Sequence, residues 1–299
     1  MTESLLATGA KVTEKAPMDR LAYWRVGGCA DYLVEVSNVV QLRGVLDVAK
    51  RVGTPVTVLG NGSNSLIHDD GVSGIVLRLK GELSDLRMAG TVADVGAGMM
   101  LVVLLSRLDR AGLAGAEPFA GVPGTVGGAV VMNAGTTLGE VSDFLISVDA
   151  VLEGGELVTI PASDLRLSYR HSVLPKGAVI VRAKFQLTSV DLEEKRSQRM
   201  KLIAARKATQ PLDLPSCGST FTNPPGDHAG RLIEAAGLKG HRIGGASISA
   251  KHANFIVNHG DATARDIHAL IQLAMSEVRS QFDITLTPEV RYLGDWSSQ

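Results

Sequence analysis

Residues Gly121-Val122-Pro123-Gly124-Thr125-Val126-Gly127-Gly128-Ala129-Val130-Val131-Met132-Asn133-Ala134-Gly135 decide how this chain is read. Five glycines fall within these fifteen residues. A structural turn seldom needs so many positions free of Cβ. A flat ring system and a pyrophosphate packed directly on backbone would need them. The other reading of the stretch is a β-arch with a bulge.

Working outward, Val58-Leu59-Gly60-Asn61-Gly62-Ser63-Asn64-Ser65 follows an apolar strand. Its successive N–H groups and small polar side chains suit an anion-binding nest for phosphate. Ser65 stands at the third glycine position of G-x-G-x-x-G and no helical pattern follows, which argues against a Rossmann fingerprint. A tight hairpin turn rich in Gly and Asn has the same composition. Gly96-Ala97-Gly98 is a weaker third candidate for the same pocket.

The bulk of the chain is that of an ordinary globular protein. Its 299 residues suffice for two or three units with cores of their own, and 45% hydrophobic residues exclude both disorder and a membrane-spanning class. A net charge of −1 provides no global field toward nucleic acid or lipid. Residues 1–20 lack the apolar stretch of a signal peptide, and the run Met99–Leu105 is too short to span a bilayer. Cys29 and Cys217 are isolated and read as reduced thiols, with no metal-ligand spacing around them. A cytoplasmic monomer with no bound metal, no nucleic-acid partner and no membrane insertion is expected.

Apolar spacing predicts strands at 31–36, 56–59, 74–79, 92–95, 147–152, 156–160, 179–187, 255–257 and 284–293. It predicts helices at 38–52, 100–111, 193–207, 229–236 and 263–282, the last with Thr263 and Asp266 as a capping-box variant. The Gln210-Pro211 break marks a boundary near residue 200. The expected class is α+β, with mixed sheets and flanking helices. Residues 1–200 form one domain of two subdomains (about 1–80 and 81–200), and residues 201–299 a second.

The ordered motifs Arg25-Val26-Gly27-Gly28, Gly60–Asn64, Gly121–Gly128, Met132–Gly135, Tyr169-Arg170-His171-Ser172, Gly218-Ser219-Thr220-Phe221-Thr222-Asn223-Pro224 and Pro288-Glu289-Val290-Arg291 resemble the UDP-N-acetylenolpyruvoylglucosamine reductase family. The likeness runs from about Trp24 to Gly294. It implies a vanillyl-alcohol-oxidase/PCMH-type FAD-binding fold followed by a smaller α+β substrate domain. It also implies non-covalent FAD and NADPH as co-substrate. The implied reaction reduces UDP-N-acetylglucosamine enolpyruvate to UDP-N-acetylmuramate in peptidoglycan precursor synthesis, and so serves cell shape and division.

The cofactor residues so implied are Gly60, Asn61, Gly62, Ser63, Asn64, Ser65, Gly121, Val122, Pro123, Gly124, Gly127, Gly128, Ala129, Met132, Asn133, Ala134, Gly135 and Arg291. Reducing an enol ether that bears a carboxylate also needs fixed positive charge and a proton donor. The family match assigns the charge to Arg170, which otherwise reads as a surface ion pair. It assigns the proton to Ser219, which otherwise reads as a turn serine. Glu289 is matched as catalytic; burial there would raise its pKa, and pairing with Arg291 is the alternative. Arg206, Gln210, Asn223, Lys239 and Arg242 are candidates for the UDP phosphates, uracil or NADPH. His252 reads as a satisfied turn histidine.

Departures from the family pattern are Ala22-Tyr23-Trp24 in place of small hydroxylated residues and Thr222 in place of a common Lys. The quick passage from Phe185 to a charged helix resembles the short form, which lacks a substrate-covering loop. Two rival functions remain: an FAD-dependent sugar or alcohol oxidase of the same fold, and a non-catalytic flavin-binding partner in cell-wall assembly.

Overall fold

Local chemistry sets the helix ends. Asn38 caps Val39–Val52 by accepting from the Gln41 N–H, and Gly53 closes that helix at φ 67°. Thr263 and Asp266 form a reciprocal capping box at the start of Ala264–Phe282. The computed structural model describes residues 1–189 and 192–297. Among them, no helix is long and apolar enough to cross a membrane.

Contacts divide the chain into two units in a less linear way than a cut near residue 200. One comprises Met1–Glu14, Tyr32–Asn61 and Gly74–Ala204; the other comprises Lys15–Asp31, Gly62–Ser73 and Ala205–Gln299. Two N-terminal segments thus belong with the C-terminal region.

In the first unit, strand residues 11–14, 32–36, 74–79 and 56–58 form a four-stranded sheet in that order. The pair Val56–Val58 with Val72–Leu79 is parallel. An antiparallel five-stranded sheet runs Leu157–Pro161, Leu145–Val151, Val179–Gln186, Val92–Gly96, Leu86–Ala89. One hydrophobic core, from Leu5 to Leu187, serves both sheets, so the expected subdomains share an interior. The helix Leu101–Arg110 adds Leu101, Leu104 and Leu108 to it. Arg199, on the helix Leu192–Thr209, is bidentate to Asp109 at 2.7 and 2.8 Å.

The second unit packs the helices Ala229–Ala235 and Ala264–Phe282 with a three-stranded antiparallel sheet, Arg242–Ile243, Ala246–Ile248 and Ile256–Asn258. Ser65–Ile67 pairs in parallel with Arg291–Leu293. The Asp69 carboxylate accepts from the N–H groups of Ala264 and Arg265 at 2.8 and 3.1 Å, placing negative charge at a helix N-terminus. Trp24 is fully buried in this core, with its indole N–H on the Ile256 carbonyl at 2.7 Å. At that departure from the family pattern a bulky side chain has become core.

Several elements differ from the sequence reading. The strand expected over 284–293 is reduced to Arg291–Leu293, because Pro288 removes a ladder donor. Strands Lys11–Pro17 and Leu86–Ala89 escaped periodicity, and each is the last strand of its sheet. An edge strand buries too little for its side chains to alternate cleanly. Part of the glycine-rich stretch, Val126–Val131, is neither turn nor β-arch but a short helix capped by Thr125.

Candidate active site

In the first unit, Gly60–Asn61 of one glycine-rich turn comes together with the other two. A Cβ on Gly60 would approach the Thr125 hydroxyl oxygen to 2.6 Å. The Gly127 N–H donates to the Ala97 carbonyl at 2.8 Å. Much of this backbone is already engaged: Val126 N–H bonds to Met99, Val122 N–H to Phe119, and Gly128 N–H to the Thr125 side chain. The start of this helix is therefore used to hold the turns together, and a phosphate nest there would have to be built from other donors.

The glycines separate by what excludes a side chain. Gly62 lies against the Leu21 carbonyl and Gly135 against Gly139 and Glu140, so the protein itself needs these positions bare, and a Cβ on Gly127 would press on Ala97 at 3.1 Å. Gly128 is different. It is exposed, and a Cβ there would meet only the Thr125 hydroxyl at 3.5 Å, an ordinary contact. A bare, open position that the fold does not require fits close approach by a flat group such as a flavin.

Arg170 belongs to this assembly. Its segment is stitched to the end of the glycine-rich stretch by Asn133 Nδ2 on the Ser168 carbonyl (3.1 Å), Ser172 Oγ on the Val131 carbonyl (2.9 Å) and Arg170 Nη2 on the Gly135 carbonyl (3.3 Å). Arg170 and Asn133 both adopt left-handed backbone, φ 57° and 39°. Such residues persist where surrounding bonds over-determine them. The guanidinium lies 4.9 Å from the Tyr169 ring centre.

The second unit brings Ser219 and Glu289 onto neighbouring backbone. Glu289 N–H donates to the Thr220 carbonyl at 2.8 Å, Thr222 N–H to Thr287 at 3.0 Å, and Phe221 bridges Pro288. Ser219 is half-buried and follows Gly218, whose φ of 77° requires glycine and around which a Cβ would find open space. Glu289 is half-buried, less enclosed than its apolar neighbours suggest. Thr222 bonds through its hydroxyl to Thr287 at 3.2 Å. Cys217 donates to the carbonyls of Gly62 and Ser65, and burial pushes its thiol up to about 12, far from a thiolate nucleophile.

The five substrate candidates are each engaged within the protein. Arg206 and Gln210 bond to each other at 3.1 Å, and burial lowers the pKa of Arg206. Asn223 accepts from the Ala229 N–H at 3.1 Å, as a cap for the short helix. Lys239 pairs with Glu234 at 3.0 Å, and Arg242 donates to the Gly244 carbonyl at 2.9 Å. His252 is satisfied: its Nδ1 accepts from the Asn254 N–H at 3.2 Å, and burial, with the Lys239 charge, lowers its pKa. Asn254 is not singled out by the motifs; its signal in the sequence is a carboxamide within an apolar run, where an unpartnered polar group would be costly.

Two family models match the two halves of this layout. Residues 30–161 match an FAD binding domain, and residues 210–293 match the C-terminal domain of UDP-N-acetylenolpyruvoylglucosamine reductase. The fold, with its FAD binding domain, is that of an FAD-dependent oxidoreductase. A reductase of that name from Anaeromyxobacter sp. (strain Fw109-5) is 45% identical, covering 97% of this chain and 91% of that protein. One from Agathobacter rectalis is 40% identical over 99% and 98%. The crystal structure of the Thermus caldophilus reductase superposes with a TM-score of 0.82 at 37% identity, covering 95% of this chain and 98% of that one. The chain belongs to the UDP-N-acetylenolpyruvoylglucosamine reductase family. Physcomitrella patens BBE-like 1, 23% identical with a TM-score of 0.50 over 63% of this chain and 44% of that one, shares the fold alone.

Proposed function

We propose that this chain reduces UDP-N-acetylglucosamine enolpyruvate to UDP-N-acetylmuramate, with NADPH as reductant, as a cytoplasmic step of peptidoglycan precursor synthesis. The observation that carries the reading is the ladder holding Ser219 beside the Glu289 backbone, within a chain of this family. Bound FAD supplies hydride transfer, the chemistry a side chain cannot perform. The open face at Gly128, with Gly121–Gly124 and Gly60–Asn61, would hold it without a covalent tether.

The remaining work falls to side chains. Arg170 would grip the substrate carboxylate and stabilise the negative charge that develops there during reduction. Ser219 donates the proton that completes the adjacent carbon, and Glu289 supports that transfer. Arg291 is a further candidate for holding FAD. Lys239 and Arg242 are candidates for the UDP phosphates, because exposed ion pairs are cheap to redirect toward a ligand. In this scheme the first 200 residues bind FAD, the C-terminal region receives the UDP-sugar, and the protein acts as a monomer.

The test is anaerobic: NADPH should bleach the bound flavin, and UDP-N-acetylglucosamine enolpyruvate should restore its colour in a single turnover. Bleaching followed by recovery only on admitting oxygen would point to an oxidase. Absence of bleaching would leave a flavin-binding protein without this activity.

A further inference from the structure

Asn254 holds the segment that links Ser219 to Glu289. Its main-chain oxygen accepts from the Thr220 N–H at 2.8 Å. Its side-chain oxygen accepts from the Phe221 N–H at 2.9 Å, and its side-chain nitrogen donates to the Phe221 carbonyl at 2.8 Å. The carboxamide therefore presents to Phe221 the donor and acceptor that a neighbouring strand would present. On the opposite edge of the same two residues, Thr220 accepts from Glu289 N–H and Phe221 bridges Pro288.

The clamp is shielded from water. Asn254 is 4% exposed, Phe221 2% and Thr220 0%, so water cannot compete for these bonds. Asn254 is itself anchored by its N–H on His252 Nδ1 at 3.2 Å. The turn carrying it is closed by Ser249 N–H on the Phe255 carbonyl at 2.8 Å and Phe255 N–H on the His252 carbonyl at 3.0 Å. Nothing in the carboxamide geometry reaches the Ser219 hydroxyl. Its bonds act one residue away, on the backbone that sets where that hydroxyl and the Glu289 carboxyl stand.

We infer that Asn254 is a positioning residue for proton delivery, fixing Ser219 and Glu289 relative to each other through Thr220 and Phe221. The inference rests on the function proposed above. Asp at this position keeps the shape and the acceptor for Phe221 N–H but, as a carboxylate, loses the donor and turns an oxygen toward the Phe221 carbonyl. A displacement of about 1 Å at a reacting group costs on the order of 100-fold in rate.

The experiment uses FAD-loaded wild type, Asn254→Asp, Ser219→Ala and the double variant in stopped flow. NADPH-driven bleaching of Asn254→Asp should stay within about twofold of wild type, while reoxidation by the enolpyruvyl sugar slows by about 100-fold. In the Ser219→Ala background the same substitution should add little, because the group it positions is already gone. A purely structural role predicts equal slowing of both half-reactions, or full additivity with Ser219→Ala, and either result overturns the inference. So does wild-type reoxidation in Asn254→Asp. Asn254→Ala, which keeps the main-chain bond to Thr220, is the second variant; if neither folds with FAD bound, Asn254 is a folding residue and the inference fails. Wild-type protein that the sugar does not reoxidise would instead defeat the proposed function, and this inference with it.

Discussion

The side-chain nitrogen of Asn64 donates to the main-chain oxygen of Glu289 at 3.1 Å. The Arg291 N–H returns a bond to the Asn64 carbonyl at 2.9 Å, so the two bonds bracket Val290 in sequence. The second half of the first glycine-rich turn is thereby tied to the chain segment that carries Glu289 and Arg291. These residues are separated by more than two hundred positions, and neither segment alone has the partners its polar groups need. Part of what resembled a cofactor motif in the sequence is spent on holding the segment of the proposed catalytic Glu289.

Gly128→Ala should separate a ligand-imposed glycine from a structural one. The added Cβ meets only an ordinary contact in the protein, and Ala favours a helix over Gly by about 1 kcal/mol. Thermal stability of the apoprotein should hold or rise while FAD affinity falls at least about tenfold, equivalent to a loss of about 1.4 kcal/mol. Titration of apoprotein with FAD, followed by flavin fluorescence, measures this. Unchanged affinity would show that Gly128 does not face the flavin.

Ser219→Ala should act on one half-reaction. Flavin reduction by NADPH proceeds nearly as in wild type, and reoxidation by the enolpyruvyl sugar slows by about two to four orders of magnitude, the scale of a lost general acid. Binding of the UDP-sugar should weaken little. Stopped-flow absorbance reads both steps, and an unslowed reoxidation returns Ser219 to the role of a turn residue.

Protonation of His252 opposes folding. The folded protein holds it below its ordinary value, and the Asn254 N–H needs Nδ1 unprotonated. The unfolded chain takes up a proton near pH 6.5, roughly the ordinary histidine value, before the folded chain does. Stability from this group is therefore complete above that pH. It is lost as pH falls toward the lowered folded value, and is level below it. His268, lowered by burial and by His68, contributes with the same sign. His252→Gln should flatten the slope of melting temperature against pH in this window; an unchanged slope refutes the assignment.

Thr220→Val should stabilise the protein by about 1 kcal/mol, because the buried Thr220 hydroxyl oxygen has no hydrogen-bond partner among the described residues and an apolar replacement of the same shape removes that cost. The main-chain bonds of Thr220 are retained. Urea unfolding of the FAD-loaded variant and wild type measures the difference, and a destabilised variant would mean that a polar partner for this hydroxyl exists.

The sequence alone determined the strongly periodic elements, among them Val39–Val52 with Asn38 and Gly53 at its ends, and Ala264–Phe282 with its capping box. Caps and apolar stripes act within a few residues, so their information is local. The order of the glycine-rich and catalytic motifs was likewise written along the chain and marked its family. Tertiary structure alone decided that the Gly60 turn would meet Thr125, and that Lys15–Asp31 and Gly62–Ser73 would join the C-terminal unit. It also decided that Val126–Val131, with its poor helix formers, would be helical: Val126 and Gly127 find acceptors in Met99 and Ala97, far away in sequence. Asn254 belongs to the same class. A carboxamide has no role until the chain folds and brings it a backbone segment with one donor and one acceptor to satisfy.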